Sequence, residues 1–259
     1  MPEVPAYTAA EVKAAETPLL AAGEPLMARA AAALARIVRD ELPRDDASGG
    51  TARILVLVGG GDNGGDALFA AADLAGDGHH VDLALVGRRA HEEGLAAALA
   101  AGARIVDAVA ATDPCDVIVD GVLGIGTQGD PVLRGVVRDI VAAQLPAVRD
   151  GATRVVAVDL PSGLHPDSGT TADGLVLPAA VTATFGAVKA GLVRGEGPAL
   201  AGRVILVDIG LGPHLADAVP QAVASVWRID AARPRRRAGA VGRRRAAVSV
   251  RSARRSSAG

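Results

Sequence analysis

The chain has 259 residues and a formal net charge of −2, enough sequence for one buried α/β core with or without a tail. Half of it is apolar, mostly Ala, Val and Leu. Only Tyr7, Phe69, Phe185 and Trp227 are aromatic, which leaves no platform for stacking nucleic-acid bases. The lone Cys115 excludes an internal disulfide, and neither a secretory leader nor a run of about 18 apolar residues is readable, so a cytoplasmic protein with no nucleic-acid or membrane partner is expected.

In chain order, residues 8–20 have helical spacing, with Thr8 as N-cap and Glu11 as its capping-box partner. Residues 24–41 predict a second helix on the recurrence of Leu26, Met27, Ala30, Leu34, Ile37 and Val38, with Pro25 in its first turn. Ile54 to Val58 is a continuous apolar run, the pattern of a strand buried on both faces. Gly59, Gly60 and Gly61 follow at once, then Asp62, Asn63, Gly64, Gly65 and Asp66, and a helix is expected over 67–74. Strand, glycine-rich turn and helix together aim backbone N–H groups and a helix N-terminus at an anion. Gly59, Gly61 and Gly64 formally satisfy G-x-G-x-x-G, a weak signal in a chain with 32 glycines.

A dinucleotide-binding dehydrogenase should carry an acidic residue at the end of the next strand. That strand is expected over 81–86 and is followed by Gly87, Arg88 and Arg89, while Asp82 lies too early, so the dehydrogenase fingerprint is incomplete. The polar groups Asp62, Asn63 and Asp66 suggest direct ligand or cation contacts instead. The competing reading is a tight turn in which Asn63 bonds only its own backbone.

A helix over 91–101 and a short strand over 104–106 come next. Residues 116–120 predict a buried strand ending in Asp120 that runs into a second glycine-rich loop, through Asp130, and a helix over 134–145. A strand over 154–158 again ends in a carboxylate, Asp159, before Pro161, Ser162 and Gly163; further strands are expected over 182–185 and 204–208. The alternation spells a Rossmann-like three-layer αβα sandwich on a mostly parallel sheet. In such a sheet all carboxyl ends of strands share one edge, where ligands bind. Three strands delivering polar, glycine-rich loops to that edge make the case for a site. His79, His80, His91, His165 and His214 show no metal-ligand spacing.

From Arg228 onward the character changes: 11 arginines stand against one acidic residue, Asp230, whereas the preceding 227 residues carry 16 basic and 28 acidic groups. Residues 1–227 read as one domain and 228–259 as an Arg-rich, disordered tail.

The segments GGGDNGGDALFAAADL, DVIVDGVLGIGTQGDPVLRG, VVAVDLPSGLHPDSG, TATFGAVKAGL and AGRVILVDIGL resemble, in order and spacing, the N-terminal YjeF-type domain, the family of NAD(P)H-hydrate epimerases. The match spans Tyr7 to Leu211. The resemblance implies an isomerase that interconverts the R and S forms of NADHX and NADPHX, reduced nicotinamide nucleotides hydrated at C6. It implies a bound potassium ion, a homodimer, and an S-specific dehydratase as functional partner. Asp62, Asn63, Gly64, Gly65 and Asp66 would bind substrate, with a second substrate loop of Gly124, Ile125, Gly126, Thr127, Gln128, Gly129 and Asp130. Asn63, Asp120 and Ser162 would hold the ion, and Asp159 would contact substrate near the reacting carbon.

The chemistry agrees: a hard cation takes oxygen ligands, and one acid/base group can protonate a departing hydroxyl and then activate the returning water. Asp159 is the candidate. Lys189, in TFGAVKAGL, is open between a substrate contact, a loop anchor and a solvated charge. Where the family often has Leu-Met-Glu-x-Ala-Gly, this chain has Leu26-Met27-Ala28-Arg29-Ala30-Ala31. In bifunctional relatives a dehydratase domain would begin near the tail; none of its motifs is present, and the tail reads as a truncated or out-of-frame remnant of that junction. The alternative function is a noncatalytic nucleotide-binding or scaffold module of the same fold.

Overall fold

The computed structural model describes residues 2–43, 50–126 and 131–231. The elements run β1 (Glu3–Tyr7), α1 (Ala9–Ala21), α2 (Leu26–Glu41), β2 (Arg53–Val58), α3 (Asp62–Gly76), β3 (His80–Leu85), α4 (Glu92–Ala100), β4 (Arg104–Val106), β5 (Val117–Gly121), α5 (Val136–Arg149), β6 (Arg154–Val158), β7 (Val181–Phe185), β8 (Val188–Lys189), α6 (Gly197–Leu200), β9 (Arg203–Asp208), β10 (Ala222–Ser225) and β11 (Trp227–Asp230).

Eight strands form one sheet in the order β11-β9-β7-β6-β5-β2-β3-β4, with every neighbouring pair parallel. The expected sandwich is therefore present. Its strand order reverses between β2 and β5, and the crevice at such a switch point is where open α/β sheets bind ligands.

The period-2 alternation of the strands sorts the core into layers. Val56, Val58, Val119, Val156 and Val158 pack with Leu34, Val38 and Leu68 of α2 and α3 on one face. Leu55, Leu57, Ile118, Val155 and Ala157 pack with Val137, Ile140 and Val141 of α5 on the other. Central strands apolar on both faces explain why they read as unbroken hydrophobic runs.

A second sheet, β10-β1-β8, went unread in the sequence. Pro5 interrupts the pattern of β1, and β8 has two residues, too short for any periodicity. This sheet packs Val4, Ala6, Val188 and Ala224 onto Leu160, Leu164 and Leu206 of the main body. It ties the N-terminus down, so that α1 leaves Tyr7 in a fixed direction. The capping box at Thr8 is complete: Glu11 N–H donates to Thr8 Oγ1 (3.2 Å) and Thr8 N–H donates to Glu11 Oε2 (2.8 Å).

Two boundaries in the C-terminal half extend past expectation. α5 continues through Pro146 to Arg149, because a proline near a helix end forfeits little beyond one backbone bond. β11 pairs Arg228, Ile229 and Asp230 with Leu206, Val207 and Asp208, so the sheet runs three residues past the compositional boundary at Trp227, aided by the Arg228–Asp208 ion pair (2.5 Å). The rest of the Arg-rich segment, from residue 232, lies outside the described residues. No described helix is long and apolar enough to cross a membrane.

Replacing Thr8 by Ala removes the reciprocal cap and should lower unfolding free energy by about 1 kcal/mol. Urea denaturation of the two proteins measures it, and an unchanged midpoint would show that β1, not the cap, sets the start of α1.

Candidate functional site

α3 begins at Asp62, not at residue 67 as expected. Gly64 and Gly65 are poor helix formers, yet here tertiary contact overrides propensity. The missing side chain of Gly64 lets the first turn lie against the Gly59 backbone, and a Cβ on Gly121 would stand 2.7 Å from Cβ of Ala67. The helix is thereby pressed onto the ends of β2 and β5, as close helix–strand packing at a phosphate-binding turn requires.

The cavity above this junction holds about 480 Å³. Asp62, Asn63, Asp66, Gly124, Ile125, Gly126 and Asp159 line it, so all three polar loops read from the sequence converge there. Gly64 and Gly65 do not line it; they face inward, Gly65 against Met27. Thr127, Gln128, Gly129 and Asp130 lie outside the described residues. An apolar part of the lining, to which the sequence assigned no site role, comes from Leu20, Leu26, Met27, Ala30, Phe185 and Ile209. Glu16 of α1 also faces the cavity. It was illegible in the sequence, because nothing marks one glutamate of an N-terminal helix as inward-facing until the small sheet fixes that helix.

Asp159 is held in an unusual turn. Its φ is 70°, alone among the described non-glycine residues in being positive, and Leu160 N–H closes the turn onto Val158 O (2.9 Å). Such strain clusters at functional sites. Asp159 Oδ1 accepts from Lys189 Nζ, from Phe185 N–H (3.2 Å) and from Thr184 Oγ1 (3.3 Å). Lys189 is only 1% exposed and also donates to Phe185 O (2.9 Å). The solvated-charge reading of Lys189 is thus removed: it is a buried counter-ion and anchor for Asp159.

Asn63, Asp120 and Ser162 are also brought together. Asp120 accepts from Ser162 N–H (2.8 Å) and Ser162 O–H (2.6 Å), and Ser162 Oγ accepts from Leu123 N–H (2.9 Å). Asn63 Nδ2 donates to Leu123 O (3.2 Å) and Val158 O (2.6 Å), which sets aside the reading in which Asn63 bonds only its own turn. Burial pushes the Asp120 carboxyl up, against the hydrogen bonds from Ser162 and Val122. The donor set is all oxygen with one formal charge, which suits a hard monovalent cation. Among the described residues, no cluster of three or more His, Cys, Asp or Glu forms a transition-metal site. His91 caps α4 by accepting from Gly94 N–H (3.1 Å), His79 accepts from Ala52 N–H (3.2 Å), and His165 accepts from Asp167 N–H (3.2 Å). Asp82 is 8% exposed and bonded to Arg104 (2.7 Å), so no free ribose-reading acid sits on β3.

The cavity is electrically lopsided. Glu16, Asp62, Asp66 and Asp159 all line it, and the cations that act on them are the buried Lys189 and, at Glu16, Lys13. Asp66 is 6% exposed and its Oδ1 has no hydrogen-bond partner. Burial first, then the charges of Asp159, Asp62 and Glu16, hold its carboxyl well above the usual range, with Lys189 opposing. Burial likewise raises Glu16.

Two outcomes are expected. A Cβ on Gly124 would fall 2.5 Å from Asn63 Oδ1 and 2.6 Å from its Nδ2, whereas a Cβ on Gly126 meets nothing within 4 Å. Gly124→Ala should therefore cost about 1–3 kcal/mol through lost Asn63 bonds, with Gly126→Ala near neutral, by denaturant unfolding. The second concerns pH. The folded chain keeps the Asp66 proton after an unfolded Asp releases it near ~pH 3.9, so this contribution to stability is complete below that pH and is lost as pH rises through the raised folded value. Asp66→Asn cannot titrate; its melting temperature should gain on the parent's as pH rises from about pH 4 through the raised folded value. Parallel curves would refute the assignment.

The family model described as YjeF-related protein N-terminus matches residues 23–191. A protein of Microbacterium testaceum named NAD(P)H-hydrate epimerase is 54% identical over 86% of this chain and 85% of its own length. One of the same name from Clavibacter michiganensis is 51% identical over 79% and 90%. The bifunctional NAD(P)H-hydrate repair enzyme Nnr of Mycobacterium tuberculosis is 39% identical over 79% of this chain but 41% of its own length. A crystal structure of yeast ynu0 superposes with a TM-score of 0.63 at 19% identity, covering 74% of this chain and 85% of that one. With a family model matched over more than half its length, the chain belongs to the YjeF-related protein N-terminus family.

Proposed function

We propose that this chain is an NAD(P)H-hydrate epimerase, an isomerase of nicotinamide-nucleotide repair that interconverts the R and S forms of NADHX and NADPHX. The observation that carries the reading is convergence: the loops after β2, β5 and β6, each bearing a family motif, meet at one cavity on the switch point of the sheet. Relatives that carry this name are 49–54% identical over most of their own length.

The geometry supports a division of the substrate along the cavity. The N-terminus of α3 and the loop backbones at Gly60, Gly61 and Gly124 favour the pyrophosphate. The carboxyl-rich end suits the hydrated nicotinamide ring, because loss of hydroxide from C6 leaves positive charge shared with the ring nitrogen. A fixed carboxylate stabilises that charge in a site shielded from water. Asp159, turned into the cavity and clasped by Lys189, is a catalytic carboxylate of the reaction. Asn63, Asp120 and Ser162 would hold a potassium ion, which would supply positive charge toward the pyrophosphate. The epimerised product would pass to an S-specific dehydratase. A homodimer in the cytoplasm completes the proposal.

The test is a coupled assay: R-NADPHX, an S-specific dehydratase and potassium, with return of the reduced-cofactor absorbance measured above the spontaneous rate. Asp159→Asn should lower kcat by about 10²–10⁴-fold, and replacing potassium by lithium should weaken substrate binding. A folded, potassium-loaded protein that does not exceed the spontaneous rate would favour the binding-module reading instead.

A further inference from the structure

Epimerisation at a carbinol carbon needs more from a site than one ionised carboxylate. Departure of the hydroxyl needs a proton donor, and the returning water must lose a proton on the other face of the ring. Asp159 is badly placed to donate, because its Oδ1 already accepts from the Lys189 ammonium, a peptide N–H and a hydroxyl. The cavity contains a second carboxyl in the opposite situation.

We propose that Asp66 is a second catalytic carboxyl of this cavity, the acid that protonates the departing C6 hydroxyl, while the carboxylate of Asp159 takes the proton of the water that returns to the other face. The inference rests on the epimerase reading and assigns a role within it. Asp66 lines the cavity, yet its Oδ1 is buried with no hydrogen-bond partner, the one such side-chain atom among the described residues. A bare anionic oxygen there would cost far more than a neutral carboxyl.

Burial and the neighbouring carboxyls act in one direction on Asp66, with Lys189 alone opposing. Asp62 on the same helix, Glu16 from α1 and Asp159 from the end of β6 all repel a charge at Asp66, and Lys189 is already committed to Asp159. α2 presents Met27 and Ala30 to the cavity, with the Arg29 guanidinium turned to Glu24 and to Ile209 O (3.2 Å). From the direction of α4, His91 packs its ring on Phe69. Two carboxyls of one cavity, one oxygen accepting three hydrogen bonds and the other none, are suited to different roles as base and acid.

The step balances. As the Asp66 proton moves to the hydroxyl oxygen, the C6–O bond breaks and water departs. The lone pair of the ring nitrogen forms the second C6–N bond, leaving a ring cation and the Asp66 carboxylate. Water then adds to the opposite face of C6, its proton passes to Asp159, and the ring nitrogen recovers its lone pair. Proton exchange with solvent at the cavity mouth returns Asp66 to its acid form and Asp159 to its base form. No oxidant, reductant or co-substrate is consumed.

The experiment compares the parent protein, Asp66→Asn and Asp159→Asn in the potassium-loaded state across a pH series, using purified R-NADPHX. Asp66→Asn should lose about 10²–10⁴-fold in kcat with KM little changed, and the residual rate should lack the alkaline limb of the profile. Asp159→Asn should lack the acid limb. Independently of turnover, difference infrared spectra of the parent near neutral pH should contain the C=O band of a buried neutral carboxylic acid that is missing in Asp66→Asn. Parent protein that turns over while Asp66→Asn keeps its kcat and its alkaline limb overturns the role, as does absence of the carboxylic-acid band. A parent that shows the band without turnover overturns the epimerase reading on which the role depends.

Discussion

The buried pair of Lys189 and Asp159 is the interaction on which the architecture of this site depends. Both side chains are almost fully enclosed, and every donor of the ammonium has a partner in Asp159, Phe185 or Thr184. Removing one member of such a pair strands a charge, a loss of about 3–5 kcal/mol. The pair also joins two parts of the chain. Lys189 belongs to β8, which registers with Tyr7 of β1, and β1 delivers α1 to the rim of the cavity. The same side chain therefore fixes the positive-φ turn at Asp159 and, through the small sheet, the placement of Glu16. Strain at Asp159 persists because this surrounding network over-determines it.

Around that pair the cavity combines two unlike surfaces. One is built from helix N-terminus and glycine backbone, suited to phosphate; the other is a group of four carboxyls with Lys189 and Lys13 as the cations that act on them. Such crowding would be costly if all four were ionised. The structure relieves it by withholding partners from Asp66 while supplying Asp159 with three. Differences in hydrogen bonding, not in residue type, separate an acid from a base among chemically identical side chains. The apolar wall from α1 and α2 lowers the local dielectric and strengthens each of these effects. In this chain that wall is kept by Leu26, Met27 and Ala30, although the acidic residue and glycine common in the family's second helix are replaced by Ala28 and Ala31.

Much of this was legible in the sequence because it rests on local pattern. Strands buried on both faces appear as unbroken runs such as ILVLV and VIVD, and their regular alternation with helices implies a parallel sheet whose ends share one edge. The positions of Asn63, Asp120, Asp159 and Ser162 behind three of those strands placed polar groups at that edge, while the roles expected of them came from the family resemblance and Glu16 was not among them. The capping box at Thr8 was readable for the same reason: its partners are three residues apart.

What the sequence could not specify was decided by contacts between distant segments. The small sheet pairs residues near 4, 188 and 224, and neither Pro5 in β1 nor a two-residue β8 leaves a periodic trace. The first turn of α3 forms across Gly64 and Gly65 because packing on β2 and β5 outweighs their weak helix propensity. The burial of Lys189, the orientation of Glu16 and the missing partner of Asp66 are consequences of enclosure, and enclosure exists only once the layers have closed. By itself the sequence determined the central strands of the main sheet, the polar loops that follow them and the edge those loops share. The tertiary structure decided which carboxyl is paired and which is left alone, because desolvation and hydrogen bonding act through neighbours far apart in the chain.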